Sequence, residues 1–209
     1  MQVSKNYEEK MGPKISRLRR SFAGAAALIL AQAASPASRA AEADVALPDG
    51  QKTITLVSPA GDKQVVGHVT FTKDGDGATF DVKLDAPEFQ EEFLSMRPFP
   101  CLAGKKETWC HLAYPYDMKK RITVSDLVDL EYALLFLFKP PAGYGIDPWN
   151  GLYFKLALAK DGALSGPVND VNLNPLGVPP ADRSARIIQA SDLNPADPST
   201  HRFSRVEIK

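Results

Sequence analysis

Short stretches in which apolar and polar side chains alternate recur from residue 52 onwards, and this spacing predicts β-strands. Residues 52–58 are rich in β-branched side chains and form the first such stretch. Residues 65–73 and 78–84 alternate in the same way on either side of Asp74-Gly75, a pair typical of tight hairpin turns. The pattern therefore predicts one strand followed by an antiparallel hairpin.

The second half of the chain carries further strand patterns of the same kind. Residues 132–138 are apolar throughout, which indicates a strand that is buried on both faces. Residues 151–160 alternate cleanly between large apolar side chains and others, and they predict a strand with one face towards the core. Residues 108–114, 163–173 and 201–209 predict three more strands.

One segment favours a helix. Thr123-Val124-Ser125-Asp126 has the T-x-x-D form of a capping box and predicts a short helix that ends near Glu131. About eight short strands, one helix at most and many proline and glycine turns are typical of a single all-β domain, mainly antiparallel. We expect this domain to span residues 44–209, as either a barrel-like meander or a sandwich.

The first 43 residues do not fit this strand pattern and predict a cleavable signal peptide with its own helix. A basic segment, residues 14–20, precedes an apolar stretch, residues 22–34, and small residues that end in Ala41-Glu42-Ala43. Met11 is the expected true start, because the residues before it are of mixed charge. The apolar core of about eleven residues is too short for a membrane span, which needs roughly 20.

Arg19-Arg20-Ser21-Phe22 matches the R-R-x-apolar form of a twin-arginine signal, and an ordinary Sec signal is the alternative. Either route predicts a periplasmic or secreted bacterial protein. The chain holds 25 basic and 25 acidic residues, of which seven basic and three acidic ones lie in residues 1–43. The mature chain therefore carries a net charge of about −4, which does not favour a nucleic-acid partner.

Two cysteines, Cys101 and Cys110, remain in the mature chain. In an oxidising compartment the simplest expectation is one disulfide between them, clipping a hairpin or two neighbouring strands. A redox-active pair usually has C-x-x-C spacing, which is not found here. Metal ligation by the two cysteines with His111 would compete with the bridge, and we expect no metal site.

No known catalytic motif that would indicate an enzymatic activity is found in the mature sequence. The three histidines, His68, His111 and His201, do not occur in a ligand-spaced pair such as H-x-H or H-E-x-x-H. Residues 162–166 (GALSG) have the wrong spacing for a nucleophile elbow. We therefore expect no cofactor, and the motifs favour a non-catalytic role without deciding against an enzyme.

The most distinctive loop, residues 140–150 (PPAGYGIDPWN), combines three prolines and two glycines with aromatic side chains. A stiff loop of this kind can present stacking surfaces to a ligand, although the aromatic rings could equally fill the end of the core. The expected binding residues comprise three in this loop and two beside the disulfide: Tyr144, Asp147, Trp149, Tyr114 and Tyr116.

The sequence thus favours an exported β domain that binds a small ligand or a cell-envelope component without catalysis. One alternative is an envelope hydrolase whose site is assembled from distant residues, such as His111 with Asp117, or His68 with another carboxylate. A second alternative is a structural accessory subunit of an envelope complex, for which a large exposed apolar patch would be the sign.

Overall fold

The computed structural model describes residues 45–94 and 97–209, so the expected signal peptide, residues 1–43, lies outside the described residues. The described part of the chain is mostly antiparallel β-sheet with one short helix and three 3-10 turns. The all-β prediction is therefore confirmed. No helix in this part of the chain is long and apolar enough to cross a membrane.

Thirteen strands form the sheet. Their bounds are β1 Gly50–Val57, β2 Lys63–Asp74, β3 Gly77–Lys83, β4 Phe89–Leu94, β5 Arg97–Leu102, β6 Thr108–His111, β7 Arg121–Thr123, β8 Phe136–Lys139, β9 Gly151–Phe154, β10 Ala157–Leu158, β11 Leu164–Val171, β12 Asn194–Pro195 and β13 Arg205–Ile208. The helix, α1, spans Val128–Tyr132, and the 3-10 turns span Pro148–Asn150, Asn174–Gly177 and Ala190–Asp192.

The strands follow the order β4-β5-β6-β8-β9-β11-β13-β1-β2-β3-β7, with β10 and β12 paired to β11 beside this path. The C-terminal strand β13 lies between β11 and β1, so the order departs from a simple meander. Strands β4 and β7 form the two edges, and the sheet is not closed into a barrel. The hairpin predicted around Asp74-Gly75 is present as β2 and β3, with Gly75 in the left-handed conformation at φ 59°.

The main core lies inside the curved sheet, where side chains from both ends of the strand order meet. Trp109 on β6 is fully buried and packs edge-on against Phe203, with ring centroids 5.1 Å apart. Phe71 and Phe80 lie opposite each other on β2 and β3 and belong to the same cluster. Burying aromatic side chains removes a large apolar area from water and is a main source of stability for the fold.

A second apolar cluster lies on the outer face of the strands around the disulfide. Consecutive residues on a strand point to opposite faces, so Phe136 enters the main core while Leu137 enters this outer cluster. The expectation of a segment buried on both faces is therefore confirmed at β8. Tyr132, Tyr153 and Leu176 belong to the same outer cluster.

The helix and the strand after it begin later than the sequence pattern predicts. Thr123 and Asp126 pair with each other as an isolated bridge, and α1 begins only at Val128. The carboxylate of Asp126 instead accepts a hydrogen bond from the Val128 amide at 3.2 Å, so the capping box does not form. Because α1 ends at Tyr132, the apolar strand, β8, starts at Phe136 rather than at residue 132.

Candidate functional site

The loop of residues 140–150, which connects β8 to β9, carries two of the exposed aromatic side chains of the described residues. Tyr144 is completely exposed, and Trp149 keeps 67% of its surface in contact with solvent. Trp109, by contrast, has no exposed surface. Neither loop ring fills the end of the core, so both present free faces. We call this segment the aromatic loop.

Hydrogen bonds hold Trp149 in place although its ring is exposed. The Asp147 carboxylate accepts a hydrogen bond from the Trp149 amide at 3.0 Å and caps the 3-10 turn that carries the tryptophan. The amide of Leu173 donates to the carbonyl of Pro148 at 2.8 Å, which ties the turn to the segment after β11. A backbone segment that is ordered before binding loses less conformational entropy when a ligand binds to it.

A buried lysine fixes the other half of the aromatic loop. Lys139, at the end of β8, is only 5% exposed, and its ammonium group lies 2.8 Å from a carboxylate oxygen of Glu92 on β4. The same ammonium donates to the carbonyl of Gly143 at 3.0 Å. Because a buried charge is costly unless it is paired, this arrangement keeps the first turn of the loop against the sheet.

Tyr114 and Tyr116, the other two expected binding residues, lie in a different environment. Both pack against the outer cluster, with their rings 5.6 Å apart. The Tyr116 hydroxyl donates to the carbonyl of Leu176 at 2.7 Å, and the Tyr114 hydroxyl lies 3.4 Å from that of Ala185. Burial raises the pKa of Tyr114 to about 12, so this hydroxyl stays protonated.

The five expected binding residues therefore fall into two sets. Tyr144, Asp147 and Trp149 share the aromatic loop, whereas Tyr114 and Tyr116 hold the segment after β11 against the sheet. Within the described residues no hydrogen bond or ring contact joins the two sets.

The disulfide prediction is confirmed. Cys101 on β5 and Cys110 on β6 are directly opposite partners in the ladder, with their Cα atoms 4.0 Å apart. Both are fully buried in the outer cluster. The bridge joins β5 to β6, next to the edge of the sheet that β4 forms. Its role is therefore structural.

Of the histidine pairs considered for a hydrolase, His111 and Asp117 have other partners, whereas His68 does lie near a carboxylate, that of Asp85. Nε2 of His111 lies 3.0 Å from the Ala133 carbonyl, while Asp117 lies 3.7 Å from the guanidinium of Arg183. His68 approaches Asp85 at 3.5 Å, but both side chains are at least 40% exposed. Neither pair sets a base beside a nucleophile.

The buried His201 is the centre of a polar cluster that the sequence patterns did not predict. One ring nitrogen, Nδ1, lies 3.3 Å from Glu107, and the other, Nε2, lies 2.8 Å from Asp170. Glu107 also accepts hydrogen bonds from the indole of Trp109 at 2.6 Å and from the Arg202 amide. Glu107, Asp170 and His201 are far apart in the chain. No local sequence motif could therefore have predicted that they meet.

Electrostatics fix the charge state of this cluster. Burial by itself would lower the pKa of His201, but the hydrogen bonds and charges of Glu107 and Asp170 outweigh it and raise that pKa. Burial also opposes ionisation of Glu107, yet the bonds from His201, the Arg202 amide and Trp109 hold its pKa below the usual range. Because carboxylates occupy both ring nitrogens, His201 has no free position with which to accept a substrate proton.

A second buried carboxylate is likewise used in packing. Glu131, on α1, is fully buried and accepts hydrogen bonds from the Leu156 amide at 2.8 Å and from the Tyr153 hydroxyl. Lys155 supplies a positive charge at 3.2 Å. Burial and the neighbouring carboxylate raise the pKa of Tyr153, so the phenol remains a donor.

No cluster of three or more His, Cys, Asp or Glu side chains suited to a metal ion occurs in the described part of the chain. Comparisons of the chain with family models, with curated proteins and with solved structures found no match.

Proposed function

We propose that this protein is an exported, non-catalytic binding protein that contacts a cell-envelope glycan through the aromatic loop. The observation that carries the proposal is the exposure of Tyr144 and Trp149 on a loop that hydrogen bonds hold in place. Exposed aromatic rings on ordered loops are typical of binding surfaces, where they supply large contact area at low entropic cost.

The composition of the loop supports an uncharged partner. Asp147 is the one charged residue in residues 140–150, and one of its oxygens already caps the 3-10 turn. Flat rings with few charges nearby suit the apolar C–H face of a sugar ring, which packs against an aromatic face while its hydroxyls stay in water. A highly charged ligand would find little electrostatic complementarity here.

Two other features support the compartment and the absence of catalysis in this proposal. The signal-peptide pattern in residues 1–43 and the Cys101–Cys110 disulfide agree with an oxidising location outside the cytoplasm. The buried ionisable groups around His201 and Glu131 have their hydrogen-bonding positions taken up by the fold.

The test is co-sedimentation of the mature protein with purified peptidoglycan sacculi. Tyr144→Ala combined with Trp149→Ala should weaken binding by 10-fold or more, because two stacking residues near the centre of a contact each contribute about 1–2 kcal/mol. Phe93→Ala is the matched control, since Phe93 is 75% exposed on β4 and lies outside the loop. Both variants should keep the wild-type melting temperature.

Tryptophan fluorescence gives a second readout on the wild-type protein. Trp109 is fully buried and Trp149 is largely exposed, so iodide should quench mainly Trp149. Bound glycan should protect that signal. Unchanged sedimentation of the double variant, or no binding of sacculi by the wild-type protein, would refute the proposal.

A further inference from the structure

Within the described residues the two edges of the sheet do not pair with each other, and a cleft lies beside β3, close to the β7 edge. We call it the seam cleft. The edge strand β7 is only three residues long, and it pairs with Gly77, Ala78 and Thr79 of β3. The last backbone hydrogen bond along this edge runs from the Phe80 amide to the Lys120 carbonyl, at 3.0 Å. Beyond it no strand pairs with β3 in the described part of the chain, so the backbone edge of this strand is open there.

The cleft encloses about 350 Å³ between β3 and the strands that carry the disulfide. This volume is within the range of small-molecule sites, which is roughly 300–1,000 Å³. Apolar side chains line one wall, and the other wall mixes apolar and polar groups: Phe80, Val82 and Leu84 face Pro100, His111 and Tyr114. None of these residues belongs to the aromatic loop, so the cleft is a separate site.

His111 supplies a hydrogen-bond acceptor within this apolar wall. A carbonyl can only accept, so Nε2 must carry the proton in its 3.0 Å contact with the Ala133 oxygen. Burial lowers the pKa of His111, although the bond to Ala133 acts in the opposite direction, and the ring is therefore neutral near pH 7. Nδ1 then keeps its lone pair, and in the described residues no protein donor bonds to it.

Lys120 places a positive charge at the solvent side of the same cleft. Its ammonium group lies 3.9 Å from Asp81, and both side chains are more than half exposed. An exposed pair at this distance contributes little free energy, so the ammonium can turn towards an anionic group without a large cost. The cleft thus offers an apolar body, one inner acceptor and one outer cation.

From this arrangement we infer that the seam cleft binds a small aromatic hydroxy acid. The ring would pack against Phe80 and Val82, the hydroxyl would donate to Nδ1 of His111, and the carboxylate would pair with Lys120 at the mouth. The ring, the hydroxyl and the carboxylate of the ligand would therefore each contact one complementary group of the cleft.

Three probes test the contacts separately by isothermal titration calorimetry of the mature protein: 4-hydroxycinnamate, cinnamate without the hydroxyl, and 4-vinylphenol without the carboxylate. Each loss should weaken binding by about 10-fold, the ratio that corresponds to about 1.4 kcal/mol. Equal affinity for cinnamate and 4-hydroxycinnamate would overturn the role of His111. No binding of 4-hydroxycinnamate would overturn the site.

Two variants locate the site. Val82→Trp should fill the cleft and abolish binding, and Val65→Trp is its control, because Val65 is 49% exposed on β2 outside the cleft. Lys120→Asn should reduce the affinity for 4-hydroxycinnamate but not for 4-vinylphenol, and asparagine tolerates the positive φ of 50° at this position. Wild-type affinity in a folded Val82→Trp protein would place binding elsewhere.

The Tyr144→Ala/Trp149→Ala protein should bind 4-hydroxycinnamate with wild-type affinity. This result separates the cleft from the glycan surface, so either proposal can fail alone. If this double variant lost binding of 4-hydroxycinnamate, the assignment to the cleft would be wrong.

Discussion

Replacing His201 with glutamine tests the most highly connected polar cluster of the fold. His201 contacts Glu107, the residue just before β6 in the chain, at 3.3 Å through Nδ1. It contacts Asp170 on β11 at 2.8 Å through Nε2. The His201 side chain is 1% exposed, whereas that of Asp170 is 43% exposed. Glutamine can keep one neutral hydrogen bond, but it removes the positive charge between the two carboxylates.

The size of the effect follows from these contacts. A hydrogen bond to a charged group contributes about 1.5–3 kcal/mol. The bond to Asp170 belongs at the low end of that range, because water can replace the histidine at a partly exposed carboxylate. Glu107 keeps its bonds from Trp109 and from the Arg202 amide. We therefore expect His201→Gln to lower the free energy of unfolding by about 2–4 kcal/mol, or the melting temperature by roughly 5–10 °C.

The loss should depend on pH in a defined direction. The pKa of His201 is raised in the folded state, so its contribution is complete below the unfolded value near 6.5 and is lost as the pH rises through the folded-state pKa. The pKa of Glu107 is lowered, so its contribution is complete above the unfolded value near 4.5 and is lost as the pH falls through its folded-state pKa. The gap between wild type and His201→Gln should be largest from about pH 4.5 to 6.5 and shrink in alkaline solution.

Urea denaturation followed by far-UV circular dichroism, at pH values from about 5 to about 9, measures this gap. His68→Gln is the control, because His68 lies 3.5 Å from Asp85 with both side chains well exposed, and it should change stability by less than about 0.5 kcal/mol. A gap that stays constant with pH, or one no larger than that of the control, would show that His201 carries no buried charge.

Three further predictions concern the disulfide, a close backbone approach on β11 and the buried carboxylate of α1. Cys101→Ala/Cys110→Ala should lower the free energy of unfolding by about 2.5–3 kcal/mol in urea, and an unchanged midpoint would contradict a structural bridge. Gly166→Ala should cost about 1–3 kcal/mol, because its methyl group would overlap a neighbouring backbone carbonyl, whereas Gly177→Ala, with open space around it, should be neutral in the same assay. Glu131→Gln should lower the thermal midpoint by several degrees, because the glutamine amide has a single acceptor oxygen and can keep only one of the two hydrogen bonds that Glu131 accepts from a backbone amide and a tyrosine hydroxyl; an unchanged midpoint would refute this role.

Local patterns predicted much of the fold because strand identity depends on nearest neighbours. The alternation in residues 65–84 predicted the β2–β3 hairpin, and the presence of two cysteines, Cys101 and Cys110, in a chain with an export signal predicted their bridge. The boundaries around α1 were less predictable. Asp126 could serve either a helix beginning at Thr123 or a tight turn, and packing of Leu130 in the main core accompanies the later start.

The candidate site shows the same division. The sequence picked out Tyr144 and Trp149 by composition, but their exposure depends on where the loop leaves the sheet. The sequence also suggested that Tyr114 shares a site with Tyr144 and Trp149, whereas in the structure Tyr114 lines the seam cleft. The acceptor role of His111 could not be predicted, because it depends on a carbonyl 22 residues further along the chain.

The sequence by itself determined the secondary structure class, the disulfide and the aromatic composition of the loop, since these depend on side-chain periodicity and on residue identity. Only the tertiary structure decided that β7 stops after three residues and leaves a cleft, and that Glu107 and Asp170 meet on either side of the buried His201. Such features arise from strand order and from contacts between residues far apart in the chain. No local pattern encodes them, because the free energy that selects them is shared over the whole packed sheet.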